Sequence, residues 1–183
     1  MKTSGQELEL VHEILVLDAY LDAPLDVDAR EPITRRFVDE ALDLLGLEPL
    51  GALGIYLAAD ARAPGWSFVQ PITTSHISAH YFERPGRAPH LRLDAYSCDR
   101  IDRVALLRLC HRHFRLTDWR ATFIEREIDD RHARTVTALS GRAARVSDER
   151  RLGSTSTDEP LAPPDPARRR RAADVVRAPG SIA

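Results

Sequence analysis

The sequence predicts an α+β fold, a two-layer sandwich in which an antiparallel-rich sheet carries two helices on one face. Three observations point there. Two segments repeat their apolar residues every three or four positions, as amphipathic helices do. The segments around them carry apolar runs or strict alternation bounded by Gly, Pro and Asp, as strands do. The resulting order of strand, helix, three strands, helix, strand fits a chain of 183 residues with one sizeable core.

Taken in order, residues 7–22 (ELELVHEILVLDAYLD) hold the dense run ILVL and read as a strand buried on both faces. Residues 28–48 change period: Ile33, Phe37, Val38, Ala41, Leu42 and Leu45 form one stripe, with Pro32 near the start and Gly46 at the end. PLGALGIYLAAD reads as a strand and ARAPGW as a loop. SFVQPITTSHISAHYF reads as one interrupted strand, ERPGRAPH as a turn and HLRLDAYSC as another strand. In IDRVALLRLCHRHFRLT, Ile101, Val104, Leu107, Cys110 and Phe114 share a helical stripe, which makes Cys110 a small buried hydrophobe. DWRATFIERE closes the pattern as a strand.

The last aromatic residue is Phe123, and five of the 12 prolines lie beyond Ser147. Such a segment buries too little apolar surface to offset its ordering entropy. The expected organisation is therefore a domain over residues 1–146 and a disordered Pro/Arg-rich tail over 147–183. The run of arginines from Arg168 to Arg171 reads as part of that solvated tail.

Composition removes several function classes. A net charge of −2 gives no footprint for nucleic acid or a membrane surface. No apolar run approaches the roughly 20 residues that span a bilayer, and the start MKTSGQELEL lacks a signal-peptide core, so the expected location is the cytoplasm. Cys98 and Cys110 are too few for a disulfide framework or a four-cysteine zinc site. Of the 26 basic residues, 25 are arginine, and the one lysine is Lys2. A pyridoxal phosphate enzyme needs a buried lysine to hold its cofactor, and a lysine beside the first methionine is poorly suited to that.

Chemistry concentrates in TTSHISAHYF, which places Ser75, His76, Ser78 and His80 within six positions. A solvated strand face accounts for them without function. A metal site would join His76 and His80 to His90 or Cys98, with a ligand set left incomplete by spacing. A thiol hydrolase would activate Cys98 with a histidine. More specific is the combination of SHISAH with LRLDAYSCDRID, which resembles the prokaryotic S-adenosylmethionine decarboxylase proenzymes over roughly residues 6–127.

That resemblance implies a pyruvoyl group made from the chain itself. The hydroxyl of Ser75 attacks the carbonyl of Thr74, the amide becomes an ester, and elimination leaves the group on the new N-terminus at position 75, where it serves as the electron sink for decarboxylation. No lysine is required. His80 matches the histidine that removes the α-proton for elimination. Cys98 matches the cysteine that returns a proton to the substrate carbon, as a thiol in its acid form can at neutral pH. Ser67, in PGWS, matches a loop serine that assists processing, and Glu83 lies near a glutamate that contacts substrate. Where the family has FLPYG this chain has ARAPG, so Trp66 and Phe68 are the candidates to offer ring faces to S-adenosylmethionine. The resemblance implies spermidine biosynthesis as the setting and a homodimer of processed protomers, with no metal. Two alternatives are the same chemistry on arginine or ornithine, and an unprocessed regulatory or binding homologue.

Overall fold

The computed structural model describes residues 11–73, 75–126 and 134–155, with the backbone alone at 154 and 155. Ten elements follow one another: β1 (His12–Leu21), α1 (Arg30–Leu45), β2 (Gly54–Ala58), β3 (Gly65–Ile72), β4 (Ser75–Phe82), β5 (His90–Ser97), α2 (Arg103–Phe114), β6 (Leu116–Arg126), β7 (Arg134–Arg142) and β8 (Arg145–Thr155). The strands form a single antiparallel sheet in the order β2-β3-β4-β5-β1-β6-β7-β8.

Alternation along the strands decides the layers. In β1, Leu15, Leu17, Ala19 and Leu21 point to one face and are buried, and they join Phe37, Val38 and Ala41 of α1 and Leu106, Leu107, Cys110 and Phe114 of α2 in one core. Both helices therefore cover the same sheet face. Burying each of the larger side chains stabilises the fold by about 1.5–3 kcal/mol before entropy is counted. Cys110 is fully buried, and burial pushes its thiol up to about 12.

One end of each helix carries a capping residue visible in the sequence. Gly46 takes the left-handed conformation that a C-cap needs (φ 63°), and its N–H reaches back to Asp43 and Leu42. Asp102 caps α2 by accepting the Ala105 N–H at 2.9 Å.

Three expectations change. The ILVL run is buried on one face only: Ile14 and Val16 are half-buried on the face opposite the helices, hereafter the open face. The interrupted strand is a hairpin, β3 and β4, closed by residues 73 and 74 between the paired Ile72 and Ser75. The expected boundary at 146 falls inside β8, which pairs with β7 through Arg134–Thr155 and is tied to α2 by an Arg103–Glu149 ion pair of 2.6 Å. The remainder of the expected tail, 156–183, lies outside the described residues, as do Lys2 and Arg168 to Arg171.

Candidate active site

The serine and histidine cluster lies on β4, and the period of two divides it. Ile77, Ala79 and Tyr81 face the helices, so His76, Ser78, His80 and Phe82 face the open side. Antiparallel register then sets their neighbours. His80 stands opposite Ser67 of β3 on one side and Arg92 of β5 on the other.

Ser67 Oγ and His80 Nδ1 are 2.6 Å apart, a short hydrogen bond joining two residues read from separate motifs. The resemblance matches Ser67 to a loop serine, whereas here it lies inside β3, because Trp66 and Phe68 on either side of it bury against the core and extend the strand back to Gly65. The same row continues over the open face through Arg92, Asp18 and Arg120, with Arg92 Nε 3.0 Å from Asp18.

Ser75 begins β4 at the other end of the strand. By register it shares the helix-side face with its partner Ile72, and its Oγ lies 3.4 Å from His76 Nδ1. Thr74, on the other side of the expected cut, is outside the described residues. Its neighbour Thr73 is held firmly, donating its N–H (3.0 Å) and its hydroxyl (3.2 Å) to the Glu48 carbonyl.

The β4–β5 pairing ends with His76 opposite Tyr96, so Ser75 and Cys98 both lie just past that last pair, at the same sheet end. Cys98 is half-buried. Two contacts fix its loop: Ser97 Oγ accepts the Asp99 N–H at 2.9 Å, and the buried carboxylate of Glu13 accepts the Ile101 N–H at 2.6 Å. Ser75 and Cys98 thus share one sheet end, and Ser67 and His80 share a hydrogen bond. The two pairs do not meet in one chain, since Ser75 and His80 are five positions apart, about 16 Å along a strand, and an odd spacing turns them to opposite faces.

The remaining candidates sit elsewhere. Trp66 is 1 % exposed and donates its indole N–H to Thr34 Oγ1 at 3.1 Å, and Phe68 packs on Phe37 with ring centroids 6.0 Å apart. Both belong to the core, so neither offers a ring face to a substrate, because even-numbered β3 positions face the helices. Glu83 accepts the Tyr81 hydroxyl at 3.0 Å beyond the far end of β4, away from Ser75. Burial, followed by this carboxylate's hydrogen bond and charge, raises the Tyr81 phenol to about 12.

Residues that sequence reasoning passed over now line the Ser75 end of the open face. Tyr96 donates to or accepts from His12 Nδ1 at 2.8 Å, and its ring meets the His76 ring edge-on at 6.1 Å. Their signal was present in the alternation of β1 and β5 about the register, but only pairing shows that they meet. Among the described residues no group of three or more His, Cys, Asp or Glu side chains stands in a geometry that would hold a metal.

A family model described as S-adenosylmethionine decarboxylase matches residues 15–127, from within β1 to the residue after β6, and so takes in both helices and every site residue expected from the sequence. No curated protein matches the chain.

Proposed function

Because the chain belongs to the S-adenosylmethionine decarboxylase family, we propose that it is a self-processing, pyruvoyl-dependent decarboxylase of S-adenosylmethionine that supplies spermidine biosynthesis in the cytoplasm and is cut between Thr74 and Ser75. The observation that carries this reading is the 2.6 Å bond between Ser67 and His80, the serine and histidine that the family pattern assigns to processing.

Their contact gives each a role. When His80 Nδ1–H donates to Ser67 Oγ, Nε2 is left as a free base, and the Ser67 hydroxyl hydrogen turns outward as a donor for an oxyanion. That pair is suited to steady the tetrahedral carbon formed when Ser75 Oγ attacks the Thr74 carbonyl, and then to take the α-proton so that the ester eliminates. The clamp of Thr73 on Glu48 and the pairing of Ser75 with Ile72 hold the chain on both sides of that bond. The residues fit the group: Ser75 stands at a strand start, at the same sheet end as Cys98, and a carbonyl there would supply the electron sink for loss of carbon dioxide. Cys98, fixed by Ser97 and Glu13, then holds the proton due to the substrate carbon. Tyr96, His76 and His12 offer the ring faces that the buried Trp66 and Phe68 do not.

Since His80 turns away from Ser75 of its own strand, the reading requires a homodimer in which the Ser67–His80 pair of one copy acts on Ser75 of the other. The open face, with Ile14, Val16, Ile124 and Val136 half-buried on it, supports such a partner. Co-expression of two dead chains tests this. Ser75→Ala and His80→Ala should each stay uncut or stalled alone, whereas in the mixture the His80→Ala chain should be cut by the histidine of its partner. If that chain stays uncut in mixed dimers, the composite site is wrong. Product analysis with S-adenosylmethionine, arginine and ornithine should rank the first highest.

A further inference from the structure

We propose that His76 is the base of the first chemical step, taking the hydroxyl proton of Ser75 as its Oγ attacks the Thr74 carbonyl. This role rests on the reading that the chain is cut between Thr74 and Ser75. Cleavage there removes two protons from Ser75, one from the hydroxyl and one from the α-carbon. His80 accounts for the second alone, so the first needs an acceptor of its own.

Ser75 Oγ and His76 Nδ1 are 3.4 Å apart, a long hydrogen bond of the kind that tightens as a reaction begins. Adjacent side chains on a regular strand point to opposite faces, so such a contact marks a departure from the ladder. The departure falls where β4 begins: Ser75 is paired with Ile72 on one side, while the pairing with β5 starts only at His76. The imidazole is itself held in place. Its ring meets Tyr96 edge-on at 6.1 Å, the Tyr96 hydroxyl is bonded to His12 Nδ1 at 2.8 Å, and the Arg126 guanidinium lies 6.0 Å from the centre of the Tyr96 ring. On the β3 side His76 stands opposite Pro71, which has no N–H and no ionisable group to compete for Nδ1. All these groups belong to one chain, so the contact between Ser75 and His76 does not depend on whether a second copy covers the open face.

With its hydrogen on Nε2, the His76 ring presents the Nδ1 lone pair to the Ser75 hydroxyl. As the bond from Oγ to the Thr74 carbonyl carbon forms, the hydroxyl proton passes to Nδ1. The tetrahedral carbon then collapses, the bond from that carbon to the Ser75 nitrogen breaks, and the imidazolium returns the same proton to the departing nitrogen. An amide and a hydroxyl have become an ester and an amine, with no net gain or loss of protons. His76 is then neutral again, and the α-proton leaves to His80 in the later elimination. The two histidines of SHISAH thus divide the two steps between them.

The test follows cleavage of the full-length chain from the moment of its synthesis in a cell-free system, with timed samples read by mass. Half of each sample is treated with hydroxylamine, which splits an ester at position 75 but leaves an amide whole. His76→Asn keeps a polar group near Oγ but cannot take its proton, and should slow cleavage by at least about a hundredfold with an unchanged melting temperature. The chain that accumulates should resist hydroxylamine, because the block precedes the ester. Imidazole added to His76→Ala should restore cleavage, and for any variant with a lowered melting temperature this rescue decides the matter. The inference is overturned if His76→Asn is cut at the natural rate, if its uncut chain is split by hydroxylamine, or if imidazole fails to rescue His76→Ala. A natural chain that is cut beside an unaffected variant removes the role of His76 alone, whereas a natural chain that stays whole removes the cleavage reading and this role with it.

Discussion

Cys98 owes its position to residues that carry no chemistry themselves. Glu13 is 3 % exposed, and the Ile101 N–H it accepts would otherwise be buried without a partner. Glu13→Ala should cost about 1–3 kcal/mol of stability, and should reduce decarboxylation more than cleavage, because it loosens the thiol's loop and leaves Ser67 and His80 alone. Cys98→Ala should cleave normally and decarboxylate poorly, whereas His80→Ala should stall as ester or uncut chain. Identical arrest in both variants, judged by mass and hydroxylamine trapping, would remove their separate roles. His90 contributes a pH dependence: its folded pKa is depressed, so the unfolded chain takes the proton first and stability falls as pH drops below the ordinary imidazole value of about 6.5. The melting temperature of His90→Asn should therefore change less on acidification than that of the natural chain. At this scale Ser75, His80 and Cys98 were singled out by the resemblance that SHISAH and LRLDAYSCDRID carry, whereas their neighbours across the sheet depend on a strand register that the sequence does not write. Trp66 and Phe68 were expected to offer ring faces, but the parity of β3 turns both to the helices; Trp66 was read as part of a loop, which has no parity, and the strand read over Phe68 did not say which of its faces is buried.

Two tight hairpins of the sheet close differently. Between β7 and β8, Ala143 takes φ 52°, the left-handed geometry that a two-residue hairpin favours, and its carbonyl accepts the Trp119 indole N–H at 2.9 Å. Ala143→Gly should raise stability by about 1 kcal/mol, measurable as a higher urea midpoint. Between β3 and β4, Thr73 is not among the residues of positive φ, so the connection at the expected cut lacks that favoured turn geometry. This is also why the hairpin was illegible: Pro71 and a Thr-Thr pair read as an interrupted strand, with no Gly or Asn to announce a turn. Gly65 fixes the other end of the same hairpin, with φ 147° and no room for a Cβ against the Tyr81 carbonyl. Gly65→Ala should push β3 from β4, lengthen the Ser67–His80 contact two residues away, and slow cleavage by at least about tenfold while Cys98 stays in place.

On the scale of the whole molecule, the helices and the strands from β1 to β6 were written in periodicity with β3 and β4 merged into one, whereas β7 and β8 were hidden. Their strand signal is diluted by arginine and serine, and a charged edge such as Arg145, Asp148, Glu149, Arg150 and Arg151 resembles a tail in composition while it protects the sheet from further pairing. A chain ending after residue 155 should keep the melting temperature and the cleavage of the full protein. A chain ending after Val146 should lose both in part, since it strips the cover from β7 and the Arg103–Glu149 tie to α2. Equal behaviour of the two truncations would mean that β8 is dispensable. The account as a whole rests on one bond, and the intact mass of purified protein tests it most directly. The expected result is two chains, residues 1–74 and 75–183, the larger blocked to N-terminal sequencing, with Ser75→Ala remaining one chain of full mass. A natural chain that stays whole after long incubation, with its fold confirmed by circular dichroism, would contradict it.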